Sequence, residues 1–240
     1  MTKTHKSENF PVASLLLAKE VRTQVLDFYQ FARCADDIAD SPDLAPEEKL
    51  KQLDMETDNP FLADLLIAFR QDATQNRYET WDDLLSYCRY SANPVGRFLL
   101  DVHGEKIDPT ASDVLCTALQ ILNHLQDCQK DFQAIDRIYL PTEFLEADEG
   151  YETLLSEKSC SDRLRKILNI CLERTDKLIK TALPLAQQVK NRRLRYQVKV
   201  TILCALALAG KLKKQDPLAT RVELTKMDKL LIAYRGFYPL

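Results

Sequence analysis

Glycine occurs only five times in 240 residues, and the long segments place their apolar residues at three- and four-residue steps rather than in alternation. A chain so short of glycine and so consistent in helical period predicts an all-α fold, and no pair of segments reads as paired strands. The period predicts helices over roughly 12–39, 60–73, 81–102, 110–132, 161–187 and 192–212, with a short one over 223–234. The stretches SPDLAPEE, HGEKIDPT and GKLKKQDP supply the breaks between them. Thr80 ahead of Asp82 and Asp83 reads as a helix start, and Pro94 predicts a kink within 81–102. No linker or internal repeat divides the chain, so residues 1–240 are expected to form a single helical domain.

Bulk properties exclude several classes of function. Net charge is −3, which provides no general attraction for nucleic acid. The local runs KLKK, RR and RLRY read as solvated faces. Seven scattered cysteines without tight metal-ligand spacing suit free thiols in a reducing compartment better than a disulfide framework. The opening MTKTHKSENFPV lacks the apolar stretch of a signal peptide. The longest apolar run, Ile202 to Gly210, is too short to span a bilayer. A soluble cytoplasmic protein is expected, and an oily substrate would leave peripheral membrane association open.

Two aspartate pairs carry the chemistry: Asp36 and Asp40 in DDIAD, and Asp127 and Asp131 in DCQKD. Spacing of four puts both carboxylates of each pair on one helix face, a costly arrangement unless a cation lies between them. Mg²⁺ takes hard oxygen ligands and completes its shell with phosphate oxygens, so the pattern points to a diphosphate substrate. Around the first pair, Phe28, Tyr29, Phe31, Ala32, Ala35, Ile38 and Ala39 make the helix apolar on much of its girth, with Arg22, Arg33 and Asp37 as further polar positions. Asp40 near a helix C-terminus opposes the dipole, which a cation would offset. In the second helix Gln120, Asn123, Asp127 and Asp131 form a polar line suited to a cavity wall, with Lys130 as a surface partner for Asp127. Past it, Arg137 leaves the helix before Pro141 and could fold back bidentately onto phosphate, with Tyr139 close by. In YCRYSANPVGRF, Tyr87 joins small residues Ser91, Ala92 and Gly96 that permit close helix approach or leave room for a ligand. His5, His103 and His124 show no mutual metal spacing, and His124 reads as core or cavity wall.

With these residues assembled, the chain resembles the squalene and phytoene synthase family, and within it the hydroxysqualene branch of bacterial squalene and hopanoid pathways. The likeness is carried by ENFPVASLLL, YQFARCADDIAD, LLIAFRQDATQNRY, YCRYSANPVGRFL and ALQILNHLQDCQKDFQAIDRIYLP. It implies an isoprenoid synthase helical bundle around an apolar cavity. Asp36, Asp40, Asp127 and Asp131 would hold Mg²⁺ with Asp37 assisting, and Arg22, Arg33 and Arg137 would bind diphosphate. Tyr29, Tyr87, Gln120 and Asn123 match polar cavity positions. The implied reaction is ionisation of presqualene diphosphate, cation rearrangement and capture by water to give hydroxysqualene, with Tyr29, Phe28 or Phe31 facing the cation. Condensation of two farnesyl diphosphates, to presqualene diphosphate or on to squalene or dehydrosqualene, and an inactive isoprenoid-binding protein are the alternatives. No G-x-G-x-x-G signature suggests a nicotinamide cofactor. Partners implied are an isoprenoid diphosphate, with other enzymes of the same pathway left open and no nucleic acid. Gln126 stands where many squalene and phytoene synthases carry arginine, a difference the chain shares with the hydroxysqualene branch. Two departures from the resemblance stand out: residues 54–59 are shorter than the helix-bearing stretch of relatives, and His124 replaces the aromatic or apolar residue usual after the asparagine of the second motif.

Overall fold

A computed structural model describes residues 19–146 and 150–239. Among these there are eleven α-helices and no strand. They are α1 (Lys19–Ala39), α2 (Pro46–Gln52), α3 (Pro60–Asp72), α4 (Trp81–Ser91), α5 (Asn93–Val102), α6 (Thr110–Ile135), α7 (Tyr151–Leu155), α8 (Asp162–Ala182), α9 (Leu185–Gln188), α10 (Arg192–Leu212) and α11 (Lys226–Arg235). His5 and the expected start of the first helix at 12 lie outside the described residues, as does the ENFPVAS part of the family-like stretch.

Local chemistry accounts for the boundaries. Thr80 accepts from the Asp83 amide while the Asp83 side chain accepts from Thr80, a full capping box at α4. Asn59, Ser161 and Asn191 cap α3, α8 and α10 through side-chain oxygens. The expected kink is a complete break: α4 ends at Ser91 and α5 restarts at Asn93, because Pro94 cannot donate to the preceding turn. The expected helix over 161–187 likewise stops at Ala182, with Pro184 opening the short α9. The unexpected α2 grows from the SPDLAPEE break. Pro46 sits at its first position, Glu47 and Glu48 in its first turn, and Lys49 and Lys51 in its last, so each charge complements the helix dipole.

Two apolar cores hold the molecule together. The larger joins α4, α6, α8 and α10 through buried Ile121, Leu122, Leu164, Ile167, Leu168 and Ile202. The smaller joins α1, α3 and α5 through Val25, Phe28, Leu65, Leu66 and Phe98, with Phe28 and Phe98 stacked at 4.0 Å. Each such aliphatic side chain contributes on the order of 1.5–3 kcal/mol relative to exposure. At the seam between the cores α5 lies close on α6. A methyl on Gly96 would come within 2.5 Å of Ser112 Oγ and 2.6 Å of Cys116 Sγ. Arg97 also clamps Asp113 through two bonds of 2.9 and 2.6 Å.

The short connection over 54–59 closes without a helix of its own. Leu53 is fully buried at one end, Asn59 caps α3 at the other, and Arg70 meets Asp54 at 3.2 Å. All seven cysteines are free thiols; Cys34 is exposed, while Cys88, Cys128, Cys171 and Cys204 are buried. No helix among the described residues is long and apolar enough to cross a membrane.

Candidate active site

The seam between the two cores opens into a cavity of about 430 Å³. Tyr29, Arg33 and Asp36 line it from α1 and Asp40 from the residue just past its end, spaced so that helical geometry stacks them along one face. Gln120, Asn123, His124, Asp127 and Asp131 line it from α6 in the same manner. Phe28, Leu65, Phe69, Phe98, Leu115 and Leu119 make much of the remaining wall apolar. A cavity lined by four carboxylates and by hydrocarbon side chains suits an amphiphilic substrate.

Every one of these carboxylate pairs is met by an arginine. Arg33 bonds Asp36 at 2.9 Å and Asp37 at 2.5 Å. Arg137 bonds Asp40 at 2.7 Å, and Lys49 donates to the Ala39 carbonyl at 2.9 Å, so two cations offset the dipole problem at the α1 C-terminus. Arg221 reaches Asp127 at 3.2 and 3.4 Å from the segment before α11. Gln126 explains how that segment is held: its buried amide donates to the Val222 carbonyl, which fixes the neighbouring Arg221 over Asp127. A glutamine on α6 thus seats an arginine from a distant part of the chain. Lys130 is a looser surface partner of Asp127 at 3.9 Å.

Arg137 reaches the cavity because α6 ends in an unusual way. Asp136 adopts a left-handed conformation (φ 50°), its amide closing on Phe132 and that of Arg137 on Asp131. Arg77 fastens the turn through the Asp136 carboxylate at 2.6 Å and its carbonyl at 2.5 Å. The chain is thereby redirected and the Arg137 side chain points inward, 5% exposed.

Beneath Arg137 lies a buried polar cluster built on Asp72. Tyr87 donates to its carboxylate at 2.9 Å and Tyr139 at 3.4 Å, and Arg137 Nε stands 3.5 Å away while its Nη2 bonds the Asp72 carbonyl at 2.9 Å. His124 stacks on Tyr139 at 3.4 Å between ring centroids. Burial pushes the Asp72 carboxyl up to about 7, against the opposing pull of Arg137 and the Tyr87 hydrogen bond. Burial and the nearby Asp72 also raise Tyr87 and Tyr139, which remain hydroxyl donors. Burial disfavours the Arg137 charge, yet Asp72, Tyr139 and Asp40 hold the guanidinium above its ordinary range.

Of the residues expected from sequence, Asp36, Asp40, Asp127, Asp131, Tyr29, Tyr87, Asn123, Arg33, Gln120 and Arg137 all line this cavity. Arg22 and Asp37 are not among its lining residues; Asp37 is exposed and pairs outward with Arg33. Two residues escaped the sequence reading. Asp72 continues the buried stripe of Leu62, Leu65, Leu66 and Phe69, and an acidic residue at the next core-facing step was the available signal. Arg221 had none, since 94 residues separate it from its partner.

No group of three or more His, Cys, Asp or Glu among the described residues forms a ready ion cage. Mg²⁺ does not require one, since it is commonly bound through one or two carboxylates and completed by substrate phosphate and water. Paired aspartates on two helices of one cavity fit that mode.

The squalene/phytoene synthase family model matches residues 3–61 and 54–228, the two stretches meeting at the short α2–α3 connection. The hydroxysqualene synthase of Sinorhizobium fredii is 42% identical over 95% of this chain and 87% of its own length. That of Rhodopseudomonas palustris is 41% identical over 97% and 88%. Among solved structures, squalene synthase HpnC from Alicyclobacillus acidocaldarius superposes with a TM-score of 0.69 at 25% identity, over 99% of this chain and 92% of that one. With the match running over most of the sequence and the paired aspartates facing one cavity, the chain belongs to the squalene/phytoene synthase family.

Proposed function

We propose that this chain converts presqualene diphosphate to hydroxysqualene with Mg²⁺ as cofactor. The observation that carries the reading is the joining of two aspartate pairs and their arginines to one apolar cavity, in a chain about 40% identical to proteins named hydroxysqualene synthase. Asp36, Asp40, Asp127 and Asp131 would hold the ion, whose chemistry is neutralisation of charge developing on the departing diphosphate. Arg33, Arg137 and Arg221 exchange their carboxylate partners in part for phosphate oxygens as the C–O bond breaks and its electron pair leaves with the diphosphate. The cyclopropylcarbinyl cation rearranges against Phe28, Tyr29 and Phe98, whose ring faces tolerate positive charge. One water, oriented by Asn123 and Gln120, adds to the cation through its oxygen. The proton it then loses passes to the Tyr87–Asp72 pair, Tyr87 handing its own proton to the carboxylate it already touches.

A second reading, condensation of farnesyl diphosphate toward squalene, draws support from the likeness to a protein described as a squalene synthase. Product analysis separates the two. Purified protein is supplied with presqualene diphosphate or farnesyl diphosphate, each with Mg²⁺ and with chelator. Chelator-sensitive hydroxysqualene from presqualene diphosphate is expected. Turnover of farnesyl diphosphate alone would move the assignment to condensation, and inactivity on both would point to a binding protein with a shortened wall at 54–59.

A further inference from the structure

Helix α11 carries its wider apolar stripe on the outside. Met227, Leu230, Leu231 and Tyr234 follow one another at three- and four-residue steps and are 59% to 65% exposed, while Ile232 is the buried residue on the inner side. Phe237, 75% exposed, and Tyr238 extend the stripe beyond the helix end. At about 100° per residue, Lys226 and Arg235 stand on opposite flanks of the stripe, and both are exposed. The surrounding sequence is strongly basic: residues 190–240 hold twelve Lys and Arg against three Asp and Glu, in a chain whose net charge is −3. Scattered exposed leucines are ordinary, but a continuous stripe with basic flanks is the pattern of a helix lying in a lipid interface.

The patch is also tied to the cavity. Leu194, Gln197, Val198 and Thr201 of α10 line the cavity on one side. The same turns seat α11 on the other: Tyr196 donates to the Ala233 carbonyl at 2.8 Å, and Lys199 to the Tyr238 carbonyl at 3.2 Å.

We propose that this outward face of α11, with Phe237 and Tyr238, docks the protein onto an anionic lipid bilayer. The basic flanks would meet acidic headgroups while the apolar stripe enters the acyl boundary. Preference for a bilayer over a protein partner rests on the charge asymmetry and on the reading above, in which substrate and product are mostly hydrocarbon.

Flotation of the full chain with vesicles tests this, using mixed phosphatidylglycerol and phosphatidylcholine beside phosphatidylcholine alone. The wild type is expected to float with the anionic vesicles and to be released by salt. Leu230→Glu with Leu231→Glu should weaken binding about tenfold or more, and Lys226→Glu with Arg235→Glu should remove the preference for anionic lipid. Both double variants should keep the wild-type melting temperature and wild-type turnover of detergent-dispersed presqualene diphosphate. Failure of the wild type to float, or equal flotation of the leucine variant, would overturn the proposal. So would a wild-type dimer that the leucine variant splits into monomers, which would assign the face to a second copy. Vesicle binding by a protein inactive on presqualene diphosphate would sink the substrate assignment and still support the docking face.

Discussion

At neutral pH the Asp72 carboxyl stands near the middle of its titration, held there by burial and opposed by Arg137. Its folded-state value of about 7 lies above its ordinary value of 3.8, so the folded protein binds the extra proton between those limits. This group's contribution to stability therefore falls as pH rises from about 4 to about 7 and is flat above, by up to about 1.4 kcal/mol per pH unit. Asp72→Asn keeps an acceptor for Tyr87 and removes the titration. Urea midpoints measured from pH 5 to 8 should show the wild type losing stability relative to the variant as pH rises; parallel curves would refute the assignment. The same substitution should lower turnover severalfold, because in the proposed mechanism the proton accepted through Tyr87 loses its destination. Individual site residues were legible in sequence where they share a helix: spacing of four turns Asp36 and Asp40, or Asp127 and Asp131, into one face without any knowledge of tertiary structure. Arg221 and Asp72 depend on which helices meet, and local spacing does not encode that.

Among the elements, the α5–α6 contact is the one most sensitive to a single carbon atom. Alanine in place of Gly96 would gain up to about 1 kcal/mol of helix propensity, but its methyl would strike Ser112 Oγ and Cys116 Sγ. Overpacking of that kind costs about 1–3 kcal/mol, so sterics should win. Gly96→Ala is expected to lower the melting temperature and, since Gly96 lines the cavity, to reduce kcat/KM. Adding Ser112→Ala should recover part of both losses; no recovery would place the strain elsewhere. The long helices were readable from apolar period because each buries one continuous stripe. What escaped were α2, α7 and α9, seven residues or fewer, too short to display a period and made instead by caps, prolines and tertiary contacts. The break at Ala92 was foreshadowed by Pro94, although sequence alone did not say whether the helix would bend or part.

As a whole the molecule is two cores with a cavity at their seam, one core bringing the first aspartate pair and the other the second. Relative placement of the cores sets the distance between the two aspartate-bearing faces, so mutations at the seam should alter activity before they alter secondary structure. The all-helical class followed from the scarcity of glycine and the helical period, while the seam follows from residues far apart in sequence. The distribution of thiols gives this architecture a chemical signature. Cys34 lies exposed on α1, while burial pushes the thiols of Cys128 and Cys171 up to about 12 and that of Cys204 to about 11, with Cys88 higher still. In the native protein a thiol-specific chromogen should consume Cys34 rapidly, the partly exposed Cys116 and Cys160 more slowly, and the four buried sulfurs only as fast as the helices part, whereas all seven react at once in denaturant. A fluorophore at Cys34 would ride on the helix that carries Asp36 and Asp40, and the slow sulfurs would keep time for the breathing of the larger core.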